Sequence, residues 1–174
     1  MTRIRPLANE CVTVWESPDA ARIYSCSPGL AVLPSGRLVA TLGLRGPGAA
    51  ELPGPKATRG GDACWQGKVF TSDDRGASWT LRTDFPFLHA RPFVAGGSLY
   101  VLGHAGDLTI MRSDDGGESW SPPARLSEGQ SWHQAPCNVH YANGCAYLVM
   151  ERRTSFNVKG WPVAELAPVL MRGP

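Results

Sequence analysis

Nine ionisable residues of this 174-residue chain stand outside its apolar alternating stretches: Arg22, Asp62, His89, Arg91, His104, Asp107, His133, Glu151 and Arg152. Their types suit the grip of a polar ligand. A planar guanidinium offers two parallel N–H groups to the two oxygens of a carboxylate, a chemistry open to both Arg22 and Arg91. Neutral imidazole and indole can hydrogen-bond to and stack on a polar ligand. That chemistry fits His104-Ala105-Gly106-Asp107 and Trp132-His133-Gln134, and makes His104, Asp107 and His133 candidate binding residues. His140, beside Tyr141, reads as a core or groove residue. His89, His104 and His133 could meet around a metal only through strand position, and neither a metal nor any cofactor is expected.

The elements that must position these residues are short strands. Gly 20 and Pro 15 fall between apolar runs rather than in one tract, which is an all-β composition rich in turns. Three hairpins share one form: 29–34 with 37–43 about Ser35-Gly36, 92–95 with 98–103 about Gly96-Gly97, and 136–141 with 145–150 about Asn143-Gly144. Further strands are expected at 65–71, 79–83, 107–112, from Trp120 onward and at 167–172. Residues 10–16 alternate and read as one more strand. In an up-and-down sheet the first and third turns lie at one end and the second connection at the other. The second end then collects the entry segments 22–27, 88–91 and 132–135 and the loops 44–64, 103–107 and 151–166. All nine ionisable residues fall there, and such an enrichment marks a candidate polar pocket.

An internal repeat sits at the first end. Ser72-Asp73-Asp74-Arg75-Gly76-Ala77-Ser78-Trp79 returns as Ser113-Asp114-Asp115-Gly116-Gly117-Glu118-Ser119-Trp120, identical at six of eight positions. Asp accepts backbone hydrogen bonds in a tight turn, and Gly two residues later supplies a positive φ. The Trp gives the return strand a large ring to bury. Each copy is therefore a hairpin tip in which Ser72, Asp74, Gly76 and Trp79, or Ser113, Asp115, Gly117 and Trp120, are structural.

This pattern resembles the Asp box, or bacterial neuraminidase repeat, of the sialidase-type β-propellers. The resemblance implies an all-β propeller, six-bladed when complete, with about three blades here: 22–84, 88–126 and an unfinished 132–174, with 10–16 belonging to the last blade. It covers nearly all of this chain and only the first half of that fold. Because Leu170-Met171-Arg172-Gly173 aligns with Ile110-Met111-Arg112-Ser113, the chain stops where a third box would start and is expected to be a fragment. The resemblance further implies an exo-α-sialidase type of glycoside hydrolase acting on terminal acidic sugars. Arg22-Ile23 matches the family's Arg-Ile-Pro, whose arginine grips the substrate carboxylate, although Tyr24-Ser25-Cys26-Ser27 intervene before Pro28, and Arg91 in Arg91-Pro92-Phe93 is the competing anchor. Asp62 matches the acid/base Asp of the first blade's long loop, which would protonate the leaving oxygen and later deprotonate water. The same Asp beside Gly61 also suits a turn cap. The family's nucleophilic Tyr, its Glu partner and the other two arginines come from later blades, so this chain alone is expected to be inactive. Two alternatives stay open: a non-catalytic Asp-box propeller that binds glycans or proteins, and a hydrolase or lyase for another sugar that keeps the scaffold and replaces the arginine grip.

Composition sets the remaining bounds. A balance of 43% hydrophobic and 18% charged residues is that of a globular domain, and a net charge of +2 without a Lys/Arg run calls for neither nucleic acid nor a membrane surface. No stretch approaches the ~20 apolar residues of a membrane span, and no secretory signal is visible at the N-terminus. Five cysteines without a C-x-x-C suggest reduced thiols, which favour a cytoplasmic setting. Carbohydrate is the expected partner, and open blade edges invite self-association.

Overall fold

A computed structural model describes residues 10–58, 64–133, 138–160 and 163–173. Its regular elements are strands, with two short 3-10 turns at Pro47–Glu51 and Val163–Glu165. In chain order the strands are β1 (Tyr24–Val32), β2 (Leu38–Arg45), β3 (Ala57–Thr58), β4 (Cys64–Ser72), β5 (Thr80–Phe85), β6 (Leu88–Ala95), β7 (Ser98–Ala105), β8 (Asp107–Ser113), β9 (Ala124–Arg125), β10 (Trp132–His133), β11 (His140–Ala142), β12 (Cys145–Arg153) and β13 (Leu166–Gly173). They form three antiparallel sheets in succession: β1-β2-β4-β5 with β3 on β4, then β6-β7-β8-β9, then β12 flanked by β10 and β11 on one side and β13 on the other. These are the up-and-down blades of a β-propeller.

The blades hold together through the residues that alternate inward. Between the first and second sheets, Val39, Val69, Phe85, Phe87, Ala90, Leu99, Val101 and Met111 make one buried cluster. Phe85 and Phe87 are fully buried with ring centroids 4.4 Å apart, and each contributes about 2–3 kcal/mol by leaving water. Between the second and third sheets, Phe93, Leu102, Leu108, Trp132, Ala146, Leu148 and Met150 make another. The parity of each strand thus assigns one face of the second sheet to each neighbour.

Three expectations are corrected. Residues 10–16 form no strand. Alternation reports which faces side chains prefer, whereas a strand also needs a backbone partner, and no described strand pairs with this segment. The return strand after the second box is reduced to Ala124–Arg125, because Pro122 and Pro123 have no N–H to give a ladder. Trp79 and Trp120 are half-buried rather than enclosed. Cys11, Cys26, Cys64 and Cys145 are free thiols, and Cys137 lies outside the described residues. Among the described residues no helix is long and apolar enough to cross a membrane.

Candidate functional site

Register fixes which end of each sheet carries what. On β7, Leu99 lies opposite Ser113 at the start of the second box, while His104 lies opposite Leu108 at the other end. On β2, Leu38 faces Ser72 of the first box and Leu44 faces Gln66. The hairpin Asn143-Gly144 closes one end of the third sheet, and His133 pairs with Glu151 towards the other. The boxes and hairpin tips therefore share one end, and the histidines share the opposite one.

At the box end the repeat is reproduced bond for bond. Asp74 Oδ1 accepts from Ser72 Oγ at 2.8 Å and from the Ser78 amide at 2.9 Å, and Oδ2 accepts from Ser78 Oγ at 2.6 Å. Asp115 accepts from Ser113 Oγ at 2.8 Å and from the amide and hydroxyl of Ser119. The Gly76 and Gly117 amides both donate to the box serine, and the indole N–H groups of Trp79 and Trp120 donate to the Gly76 and Gly117 carbonyls. Hydrogen bonds to the charged carboxylate hold Asp74 down at about 2 and push Asp115 lower still. All of this capacity is spent within the turn.

At the other end, each sheet contributes to one cluster. β6 enters through a bulge between Leu88 and Arg91 that holds His89 at φ 53°. Gly103 on β7 makes room for it, since a Cβ there would lie 2.4 Å from the Leu88 carbonyl oxygen. His89 Nδ1 lies 2.8 Å from His104 Nε2, and His89 Nε2 lies 3.1 Å from Arg45 Nη2. Arginine can only donate, so His89 accepts at Nε2 and donates from Nδ1 to His104, which makes it the neutral tautomer. Burial, with the charges of His133, Arg45 and Arg91 nearby, lowers the His89 pKa to about 3. His133 stands edge-on to His89 at 4.6 Å between centroids and bonds Glu151 Oε2 through Nδ1 at 3.0 Å. Trp65 meets His104 edge-on at 6.3 Å. The partly exposed His133 and Glu151 offer donors and acceptors that suit hydroxyl groups, with His89 and His104 buried beside them. Its ring nitrogens point to one another, to Arg45 and to Glu151, and no group of three or more described His, Cys, Asp or Glu residues is arranged to hold a metal ion.

The other sequence candidates stand elsewhere or are otherwise engaged. Arg22 leads into β1 at the histidine end, but its guanidinium forms a two-pronged pair with Glu51 of its own blade. Arg91 is buried, and its Nη1 donates to the carbonyls of Ser27, Pro28 and Ala90 at 2.9–3.3 Å, tying β6 to β1. Asp107 accepts from Ser127 Oγ, the Gly129 amide and the Gln130 amide, and these bonds lower its pKa. That places it as the cap of the 127–130 loop. Asp62 lies outside the described residues. Sequence reasoning passed over Arg45 and Trp65; both flank the long first-blade loop, at the last residue of β2 and the second of β4, and that position was the available signal. A separate groove of about 890 Å³ runs beside β1 and is lined by Leu30, Val32, Trp79, Arg91, Val139 and Tyr141, among others. It is mostly apolar.

With this geometry in hand, comparison with known proteins agrees on the architecture. The model of the BNR/Asp-box repeat family matches residues 111–122, so the chain carries that repeat in a β-propeller. Among solved structures it is similar to an α-L-arabinanase from Penicillium chrysogenum complexed with arabinobiose, at 15% identity and a TM-score of 0.56, covering 91% of this chain and 51% of the arabinanase. A microbial sialidase, Hadza Hz136, matches at 16% identity and a TM-score of 0.47, covering 88% of this chain and 32% of that one. A protein of unknown function from Dyadobacter fermentans matches at 14% identity and a TM-score of 0.42, covering 80% of this chain and 59% of that one. The chain thus spans about half the length of the arabinanase it matches. No curated protein sequence matches it.

Proposed function

We propose that this chain is part of a glycoside-hydrolase propeller that takes a carbohydrate at the end of its sheets opposite the Asp boxes. The observation that carries the reading is the cluster of His89, His104, His133 and Glu151, assembled from two different sheets, with Arg45 of a third sheet beside it. In this reading His133, oriented by Glu151, meets a hydroxyl group of the sugar, and the buried neutral His89–His104 pair fixes the His133 ring from behind. Asp62 is the proposed acid/base, and Arg91 would serve as the carboxylate anchor of a sialidase-type substrate only by leaving the Ser27 and Pro28 carbonyls. The pairing of Arg22 with Glu51 favours a second reading, in which the scaffold serves a neutral sugar without the arginine grip.

The readings separate by ligand. Titration of the chain with sialyllactose, arabinobiose and lactose, followed by protein-observed NMR, gives millimolar binding of the acidic sugar above the others if the sialidase type is right. Preference for a neutral sugar moves the substrate to the second reading. Saturating all three without a shift excludes glycan binding and leaves a protein-binding propeller.

A further inference from the structure

Arg45 ends β2 in the first blade and reaches a cluster whose other members come from the second and third. Its company differs from that of the other arginines at this end. Arg22 pairs with Glu51, Arg153 with Glu165, and Arg91 donates to backbone carbonyls. Among the described residues no carboxylate pairs with Arg45. Its Nη2 meets His89 Nε2 at 3.1 Å, and its Nε is buried without a hydrogen-bond partner. A donor left unsatisfied in the interior is a cost, and a guanidinium that only braced the fold would be better served by a carboxylate or by carbonyls. What the placement secures is one hydrogen bond to an imidazole.

The consequence of that bond runs along the cluster. Arginine has no acceptor, so His89 presents a lone pair at Nε2 and carries its proton on Nδ1. Nδ1 donates to His104 Nε2 at 2.8 Å, so that nitrogen holds a lone pair too, and a neutral His104 carries its proton on Nδ1. One donor on the first blade thus sets two tautomers on the second. Both rings are buried, at 7% and 2% exposure, and stand behind His133 with centroids 4.6 and 6.2 Å from its ring. The titratable and charged groups facing His89 are Arg45 from β2, Arg91 from its own strand, His104 from β7, and His133 from β10 with Glu151 of β12 behind it. Burial first and the neighbouring positive charges second keep a further cation off His89, in line with its pKa of about 3.

We propose that Arg45 is a positioning residue of the ligand site: its N–H fixes the tautomers of His89 and His104, and so the uncharged surface against which His133 is held. The role rests on the reading that a sugar hydroxyl meets His133, and extends it to a residue of another blade that acts only through His89.

Long-range 15N–1H spectra of the imidazoles in the full chain read the tautomers directly and need no ligand. The parent at neutral pH should show the proton on Nδ1 of both His89 and His104. Arg45→Met should mix the tautomers of both rings and raise the pH at which His89 takes up a proton, while the exposed His140 keeps its parent signals. Arg45→Lys, which still donates, should restore the parent pattern. Affinity for whichever of sialyllactose, arabinobiose and lactose binds the parent should fall up to about tenfold in Arg45→Met, the scale of one buried hydrogen bond, and recover in Arg45→Lys. A proton on Nε2 of His89 in the parent would overturn the proposal even if Arg45→Met does not fold. Unchanged tautomers in a folded Arg45→Met chain would overturn it as well, as would an affinity that stays low in Arg45→Lys once the tautomers are restored. A parent with the expected tautomers that binds none of the three sugars would instead overturn the ligand-site reading, and the positioning role with it.

Discussion

The two ends of the sheets are built by opposite means. Every bond inside an Asp box joins residues within four positions of one another, and the same bonds form twice from two stretches of sequence. At the histidine end the bonds span 15 residues between His89 and His104 and 44 between Arg45 and His89. A local turn can form on its own terms and leaves nothing over for a ligand. A cluster assembled from three sheets exists only when the blades are stacked, and its polar edges are aimed by that stacking rather than by their neighbours in sequence. The box end therefore stabilises the fold, and the histidine end is where substitution should be felt in binding.

Substitutions at the two ends should accordingly separate stability from ligand binding. Trp120→Ala removes a half-buried indole from the junction of the first two sheets and should cost about 2–3 kcal/mol in urea unfolding, below the ~3–5 of a fully enclosed ring. Sugar titration of the folded fraction should be unchanged. Trp79→Ala should cost less, because its ring faces an open surface.

Acidification probes both ends in separate pH windows. His89 is held neutral in the folded chain, with a pKa of about 3 against 6.5 for a free imidazole. The unfolded chain binds the extra proton first, so stability is full above about 6.5 and declines as the pH falls towards 3, by on the order of 1–2 kcal/mol at pH 5. His89→Gln should flatten this decline. The box aspartates act lower. Asp74 contributes stability above its unfolded value of 3.8 and loses it as the pH falls through about 2. A decline above pH 4 that survives His89→Gln would contradict the neutral tautomer.

Smaller effects complete the contrast. His133→Ala should weaken sugar binding about tenfold, or ~1.4 kcal/mol, with little change in melting temperature. Glu118→Ala opens the contacts to Arg37 and Arg82 at a half-exposed site and should cost no more than about 1 kcal/mol, with no change in binding.

The same division explains what could be read from the sequence. The box turns, the three hairpins and the strand pairing followed from alternation and from Asp, Gly and Trp at fixed spacing, because those interactions are local. Placing the described ionisable candidates, Asp62 aside, at one end needed only strand parity. Which of them meet required the bulge at His89, the close approach over Gly103 and the stacking of blades, none of which has a sequence period. Hence His104 and His133 were named, while Arg45 and Trp65 beside them were passed over. Asp107 and Arg22 share the candidates' residue types and positions, and only their partners, the 127–130 loop and Glu51, set them apart. The 10–16 stretch alternates as a strand should, but pairing is decided by a neighbour that alternation does not reveal.

The central claim is that the histidine end is the ligand site. Assigned backbone and imidazole resonances during a titration with sialyllactose or arabinobiose address it directly. The account predicts shifts centred on His89, His104, His133 and Glu151, with residues 72–79 and 113–120 unmoved. Shifts centred on the Asp boxes, or on the apolar groove beside β1, with the histidine resonances unchanged, would contradict it.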